Sequence, residues 1–215
     1  MNSADLSHLR REYFGGPLRK QDTPPNPFSL FHQWFEEISV LKPEEVNAMM
    51  LSTATKIGIP NVRTVLLKEF SSEGFSFFTN YRSRKGHELE ENPNAAILFY
   101  WPEVFRQIRV EGRIRTIPAE ESDLYFSTRP RGSQLAAWAS QQSSVIQSRD
   151  DLHTRAKELE KQYAGKPIPR PSYWGGYRLT PNLFEFWQGQ PDRLHDRIVY
   201  RIDPKRNWVK QRLAP

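Results

Sequence analysis

Cysteine is absent from the 215 residues, which excludes disulfides, thiolate nucleophiles and sulfur-ligated metals and leaves any redox chemistry to a bound cofactor. Long apolar runs are missing too. The longest, such as Ala95 to Trp101, fall far short of the ~20 residues that a membrane-spanning helix needs. Residues 1–11 mix Asp5, His8 and Arg10 without an apolar core, so they do not read as a secretory leader, and the expectation is a soluble, cytoplasmic protein. Neither GxGxxG nor GxxxxGK[ST] occurs, which withdraws support from a dinucleotide fold or a P-loop. His8, His32, His87 and His153 are scattered without metal-ligand spacing, so no metal is expected. Glu121 and Asp123 have no matched acidic partner, and paired-carboxylate hydrolysis is unsupported.

What is present is a basic, aromatic-rich chain. A formal charge of +6 and a pI near 9.6 favour anionic partners: nucleic acid, an acidic membrane surface or phosphorylated small molecules. The cations are spread in pairs, as at Arg10-Arg11 and Arg84-Lys85. That distribution suits discrete phosphate sites better than a nucleic-acid tail. Hydrophobic content of 37% with 26% charged residues is ordinary globular usage.

Residues 1–25 are polar, with Gly15-Gly16-Pro17 and Thr23-Pro24-Pro25, and are expected to form a mobile arm ahead of a single domain over 26–215. Asn26-Pro27 caps a helix predicted from Pro27 to about Val40, with Phe28, Phe31, Phe35 and Ile38 on its apolar face. Strands are expected at Met49–Thr55, Asn61–Phe70, Phe75–Asn80, Ala95–Tyr100, Phe105–Ile117, Tyr177–Leu179, Leu183–Gln188, Asp196–Ile202 and Trp208–Leu213. Helices are expected at Ser83–Asn92, from Pro118 to about Ser127, and at Asp150–Tyr163, with the glutamine and serine stretch between the last two as loop and an irregular connector over Lys166–Gly176. The short gaps favour antiparallel pairing. The fold class is therefore mainly β with peripheral helices, a barrel or sandwich.

The densest constellation is residues 185–197, EFWQGQPDRLHDR. On an extended segment Arg193, His195 and Arg197 share a face. Three crowded cations repel unless an anion or an electron-rich ring lies between them; the plain alternative is a charged, solvated strand edge. Arg63 and Lys68 differ in parity, which allows two ligands or one exposed lysine. Thr79 followed by Arg84-Lys85 puts a strand end next to a helix N-terminus, where free N–H groups attract phosphate. A polar helix start with surface cations would look the same. Tyr125, Arg129 and Ser133 lie at a helix end and in the turn beyond, and supply donors suited to a phosphate monoester. A helix C-terminus decorated with cations explains Arg129 equally well.

Nine segments, in order, resemble the pyridoxamine/pyridoxine 5′-phosphate oxidase family: RTVLLK (63–68), FFTN (77–80), SRKGHELE (83–90), FRQIRVEG (105–112), YFSTRPRGSQLAAW (125–138), QQSS (141–144), SYWGGYRL (172–179), EFWQGQPDRLHDR (185–197) and RLAP (212–215). The resemblance implies an FMN-binding split β-barrel of antiparallel strands, working as a cytoplasmic homodimer with flavin at the subunit interface. It assigns Arg63, Phe78, Thr79, Arg84, Lys85, Gln107, Gln142, Ser143, Trp187 and Arg197 to the flavin, with Lys68 shared between cofactor and substrate. Tyr125, Arg129 and Ser133 fall to the substrate phosphate, and Arg193 and His195 to the pyridine ring. Arg10 and Tyr13, in the arm, are implied to close over the substrate as part of the catalytic set. The implied reaction oxidises pyridoxamine or pyridoxine 5′-phosphate to pyridoxal 5′-phosphate, with dioxygen as acceptor and hydrogen peroxide as product. Phe105 stands where the family pattern leads one to expect leucine, and Phe78 where tyrosine is also common. The rival readings are a non-catalytic flavin or pyridoxal-phosphate carrier and a basic nucleic-acid-binding barrel, though neither nucleic acid nor membrane is the expected partner.

Overall fold

The computed structural model describes residues 4–9 and 11–215. It contains five α-helices, α1 (Pro27–Val40), α2 (Arg84–Glu91), α3 (Ala119–Thr128), α4 (Arg131–Ala139) and α5 (Arg149–Gln162). The nine strands are β1 (Ala48–Ala54), β2 (Pro60–Leu66), β3 (Glu69–Ser71), β4 (Gly74–Asn80), β5 (Asn94–Trp101), β6 (Arg106–Thr116), β7 (Trp174–Gln188), β8 (Asp196–Ile202) and β9 (Trp208–Leu213). Their order is β2-β1-β5-β6-β7-β4-β3, with β8 on β7 and β9 on β8. The β1–β2, β3–β4, β4–β7, β7–β8 and β8–β9 ladders are antiparallel, as a mainly β fold with short connections requires. No helix among the described residues is long and apolar enough to cross a membrane.

The chain divides into two compact units. One holds the described residues up to Val46, Leu98–Val110 and Asn182–Pro215. Its core is aromatic. Asn26 accepts from Phe28 N–H and Pro27 fills the first turn of α1, a start that needs no donor from proline. The helix then buries Phe31 against Phe99 at 5.2 Å and Trp34 against Phe186 at 5.2 Å, both edge to face, the arrangement that aromatic quadrupoles favour. Residues ahead of α1 are tied to this unit. Leu18 N–H donates to Asp196 at 3.0 Å, Gly15 N–H to Gly189 O at 3.2 Å, and Leu18 is buried.

The other unit holds Asn47–Ile97 and Glu111–Pro181. Ser83 Oγ accepts from Gly86 N–H and so caps α2 immediately after β4 ends. Phe126, Leu135, Ile168 and Trp174 form a small core under α3 and α4.

Three expectations about local structure fail here. The single strand expected over Asn61–Phe70 is two, β2 ending at Leu66 and β3 starting at Glu69. The turn expected beyond α3 around Arg129 and Ser133 gives way to α4: Pro130 sits at its N-cap, and Gln134, Leu135 and Ala139 are buried, while the glutamine and serine stretch that follows is irregular as expected. Ser133 is accordingly on a helix and not in a turn. The two strands expected around Thr180-Pro181 are one strand, β7, which begins inside the supposed irregular connector at Trp174. The β4 ladder reaches only to Leu179 and the β8 ladder starts at Leu183. Pro181 therefore lies outside both the β4 and the β8 ladders, on a strand that β6 also flanks.

Candidate functional site

Chemistry-bearing residues gather in two groups, one in each unit. In the second unit a cavity of about 640 Å³ is lined by Arg63, Thr79, Lys85, Phe78 and Gln142 on one hand and by Lys68, Tyr125, Arg129 and Ser133 on the other. Arg63 and Lys68 share this cavity despite their opposite parity, because β2 ends at Leu66 and Lys68 lies beyond the regular alternation.

Beside this cavity, at the start of α2, stands a charge cluster; Arg63 and Lys85 line the cavity, while Arg84, Glu88 and Ser143 line a neighbouring pocket that shares Gln142 with it. Arg63 NH1 donates to Leu51 O at 3.0 Å and to Thr53 Oγ1 at 2.7 Å, and its NH2 reaches Glu88 at 3.1 Å. Arg84 Nε reaches the other Glu88 oxygen at 2.9 Å. Burial opposes ionisation of Glu88, yet hydrogen bonds from Thr53, Asn61 and Arg84, with the Arg63 charge, hold its carboxyl down at about 2. Lys85 has a different lot. Its Nζ reaches Thr79 Oγ1 at 3.2 Å, Gln142 Oε1 at 3.3 Å and Ser83 Oγ at 3.4 Å. Burial and then Arg63 pull its pKa down to about 8, against the pull of Glu88. Three cations against one carboxylate leave an excess of two positive charges beside the α2 N-terminus, a match for a phosphate dianion. Ser143, at a φ of 73°, brings its Oγ to 3.2 Å from the Arg84 N–H.

The other end of the cavity is aromatic and cationic. Phe78 stacks on Tyr125 at 3.9 Å and on Trp174 at 5.6 Å. The Arg129 guanidinium lies 4.5 Å from the Trp174 ring centroid, and burial lowers its pKa. Arg129 NH1 is buried with no hydrogen-bond partner. An unsatisfied buried donor on a charged group costs free energy that an incoming anion would recover.

The first unit carries the second group. Tyr13 meets Trp187, His195 and Phe105 edge to face at 5.6, 5.3 and 5.6 Å, and Trp187 lies 4.6 Å from His195. Arg193 lies 5.8 Å from the Tyr13 ring centroid. His195 Nδ1 accepts from Gln190 N–H at 3.1 Å, so a neutral ring carries its proton on Nε2. Burial, then the Arg193 charge, lowers its pKa, which favours that neutral form. Gln107 lies half-buried on β6. Arg10 falls outside the described residues.

One sequence expectation is corrected in this group. Arg193, His195 and Arg197 do not share a strand face. Pro191–Arg193 is a short 3-10 turn with Asp192 and Arg193 at φ of 54° and 63°, and β8 begins only at Asp196. Nor is Arg197 left facing other cations. Its Nε lies 2.8 Å and its NH2 2.7 Å from Glu185 Oε1, while Arg109 holds Glu185 Oε2 at 2.6 Å. The repulsion inferred from the sequence is thus absorbed by a buried glutamate on β7.

Glu88 and Glu185 are the residues that sequence reasoning passed over. Glu88 stands four residues after Arg84 on α2, a spacing that places the two on one helix face. Glu185 opens the 185–197 segment, yet nothing local marks it as the partner of Arg197 and Arg109.

A family model described as pyridoxamine 5′-phosphate oxidase matches residues 35–163, and one described as the pyridoxine 5′-phosphate oxidase C-terminal dimerisation region matches residues 174–215. A pyridoxine/pyridoxamine 5′-phosphate oxidase of Rubrobacter xylanophilus is 52% identical over 211 residues, covering 98% of this chain and 97% of that one. Its namesake in Cupriavidus taiwanensis is 51% identical over 210 residues, 98% and 99% of the two chains. Among solved structures, PhzG from Burkholderia lata 383, in complex with tetrahydrophenazine-1-carboxylic acid, superposes with a TM-score of 0.87 at 33% identity, over 94% of this chain and 99% of that one. An FMN-binding protein from Nostoc punctiforme shares the fold, with a TM-score of 0.69 at 18% identity over 90% and 100% of the chains. With its matches running from residue 35 to the C-terminal Pro215 and relatives near half identity over almost the full length, the chain belongs to the pyridoxamine 5′-phosphate oxidase family.

Proposed function

We propose that the protein oxidises pyridoxamine 5′-phosphate and pyridoxine 5′-phosphate to pyridoxal 5′-phosphate, with FMN as cofactor, dioxygen as electron acceptor and hydrogen peroxide as product. The observation that carries this reading is the unpartnered, buried Arg129 NH1 in a cavity it shares with Lys68, Tyr125 and Ser133. A phosphate monoester satisfies that donor and draws on both cations.

FMN fits the α2 end. Its phosphate would meet Arg84, Lys85 and the field of Arg63, with Thr79, Gln142 and Ser143 offering hydrogen bonds and Phe78 an apolar wall. Gln107, Trp187 and Arg197 would complete the flavin site, and Lys68 would stand between cofactor and substrate. The two groups lie in different units of the chain, and a homodimer with FMN at the subunit interface gives both a ligand in common. The family's C-terminal dimerisation region, matched at residues 174–215, supports that assembly.

When bound, FMN supplies a hydride acceptor that dioxygen can regenerate. The protein's part is binding and alignment. Arg129, Lys68, Tyr125 and Ser133 hold the substrate phosphate, which fixes one end of the molecule. Arg193 and His195 address the pyridine ring at the other end. With Nδ1 occupied by the Gln190 N–H, His195 presents Nε2–H as a donor to the ring substituents and orients C4′ without itself taking a proton. The stretch ahead of Gly15 acts as a lid, Tyr13 closing on the substrate and excluding water, while Gly15 to Thr23 stay anchored to the first unit. Arg10, itself outside the described residues, is assigned to the same role. A cytoplasmic location goes with this reading. The test is peroxide release by flavin-loaded protein on addition of either substrate. Tight binding of both ligands with no turnover would favour a carrier instead.

A further inference from the structure

Lys85 has an unusual set of neighbours for an amine that opens onto a ligand cavity. The three oxygens nearest its Nζ, on Thr79, Gln142 and Ser83, are all neutral. The adjacent carboxylate, Glu88, has its oxygens committed to Arg63, Arg84, Thr53 and Asn61. Burial and then Arg63 disfavour the charged amine, and Glu88 only partly offsets them, which brings the pKa to about 8. At neutral pH the reactive, uncharged fraction is then larger than that of an ordinary lysine by roughly two orders of magnitude. The same cavity holds Lys68 and Arg129, cations able to keep a phosphate in place near that amine.

On the reading above, the product is a phosphorylated aldehyde. A neutral amine adds to the aldehyde carbon, forming a C–N bond as the carbonyl π bond breaks. The adduct then loses water, the two amine hydrogens leaving with the carbonyl oxygen, and an imine remains. No oxidant or reductant is consumed.

We propose that in the flavin-free protein Lys85 captures pyridoxal 5′-phosphate as an imine, its phosphate held by the cations of the same cavity, so that product and flavin compete for one cradle. Bound flavin phosphate charges the amine and covers it, and the loaded protein is therefore unreactive. The imine hydrolyses reversibly, so the level of product sets how fast newly made protein acquires flavin. This inference rests on the oxidase reading for the identity of the aldehyde, and on the cavity for its place.

The test treats flavin-free, full-length protein with pyridoxal 5′-phosphate, reduces it with borohydride and maps the pyridoxyl label by peptide mass spectrometry. A parallel sample is loaded with FMN first, and a third carries Lys85→Arg. The expected result is at least ten-fold more label on Lys85 than on exposed Lys20, Lys42 or Lys56, and at least ten-fold less once FMN is bound. In Lys85→Arg only the surface background remains, and pyridoxal 5′-phosphate no longer slows the quenching of FMN fluorescence. Label falling mainly on Lys68, spread evenly over exposed lysines, or undiminished by FMN overturns the proposal. Oxygen uptake by loaded protein with pyridoxamine 5′-phosphate is read separately. Turnover without Lys85 labelling sinks this inference alone, whereas Lys85 labelling without turnover supports the capture at Lys85 but sinks the oxidase reading, and with it the claim that the captured aldehyde is a product.

Discussion

Arg129 lies over the face of Trp174, its guanidinium carbon 4.5 Å from the ring centroid, with NH1 buried and unpartnered. The ring fixes the fork by a cation–π contact, and Phe78 and Tyr125 stack alongside. A donor held this firmly in the free protein loses little entropy when an anion arrives. Replacing Arg129 with alanine should raise the KM for the phosphorylated substrate about ten- to hundred-fold, since one charge-assisted contact is worth roughly 1.5–3 kcal/mol. Flavin affinity should change little. Steady-state kinetics with a parallel FMN titration checks both, and an unaltered KM would move the phosphate elsewhere.

Flavin binding should depend on pH through Lys85. Its folded pKa, near 8 because of burial and Arg63, lies below the ordinary 10.5, while a bound phosphate favours the charged amine. Below pH 8 the amine is already charged and this group adds no pH dependence. Above it, proton uptake accompanies binding, and affinity should fall towards ten-fold per pH unit until the pKa of the complex is reached. The phosphate is already dianionic there, its second pKa being about 6. FMN titrations between pH 7 and 9.5 measure the slope. Lys85→Arg should flatten it, and a flat wild-type profile would refute the assignment.

Glu88 should stabilise the fold. Its carboxyl sits at about 2, lowered from 4.5, so its contribution is complete above pH 4.5 and is lost as the pH falls through the window down to 2. The shift corresponds to about 3 kcal/mol, and breaking a buried pair typically costs ~3–5 kcal/mol. Urea unfolding of Glu88→Gln at pH 7 should show a loss of that order, and the gap to wild type should narrow in acid. Equal stability at pH 7 would mean that Arg63 and Arg84 do not need the partner.

Arg193→Ala is expected to bind flavin normally and lose most of kcat, because the residue is assigned to orienting the ring and not to either phosphate. His195 gives the same site a pH signature. Its pKa is below the usual 6.5, through burial and then Arg193, and a proton on Nδ1 would confront the Gln190 N–H that now donates there. Acidification through that lowered value should reduce kcat/KM, and His195→Gln should remove this limb of the pH–rate profile. Normal turnover in Arg193→Ala would take the residue out of the mechanism.

Much of this architecture is legible in the sequence where local chemistry marks an element's ends. Asn26-Pro27 fixes the start of α1, and Ser83 the start of α2. The final two strands emerge with the expected bounds because alternation and turn residues agree there. The helix α4 is hidden because Gly132 reads as a turn while the burial of Leu135 against Phe126 and Trp174 is a tertiary fact. The unity of β7 is hidden because Thr180-Pro181 looks like a break, whereas the strand runs through it between the β4 ladder ending at Leu179 and the β8 ladder starting at Leu183. For the site, the cations were visible and their counter-ions were not. Glu185 reaches Arg197 across the β7–β8 pair and Arg109 from β6, and the left-handed residues Asp192 and Arg193 break the strand face that periodicity promised.

The most direct measurement is hydrogen peroxide production, under air, by FMN-loaded protein given pyridoxamine 5′-phosphate or pyridoxine 5′-phosphate. The account predicts a yellow dimer that forms pyridoxal 5′-phosphate and peroxide in equal amounts from either substrate. A dimer that holds FMN and both substrates yet releases neither product would contradict it.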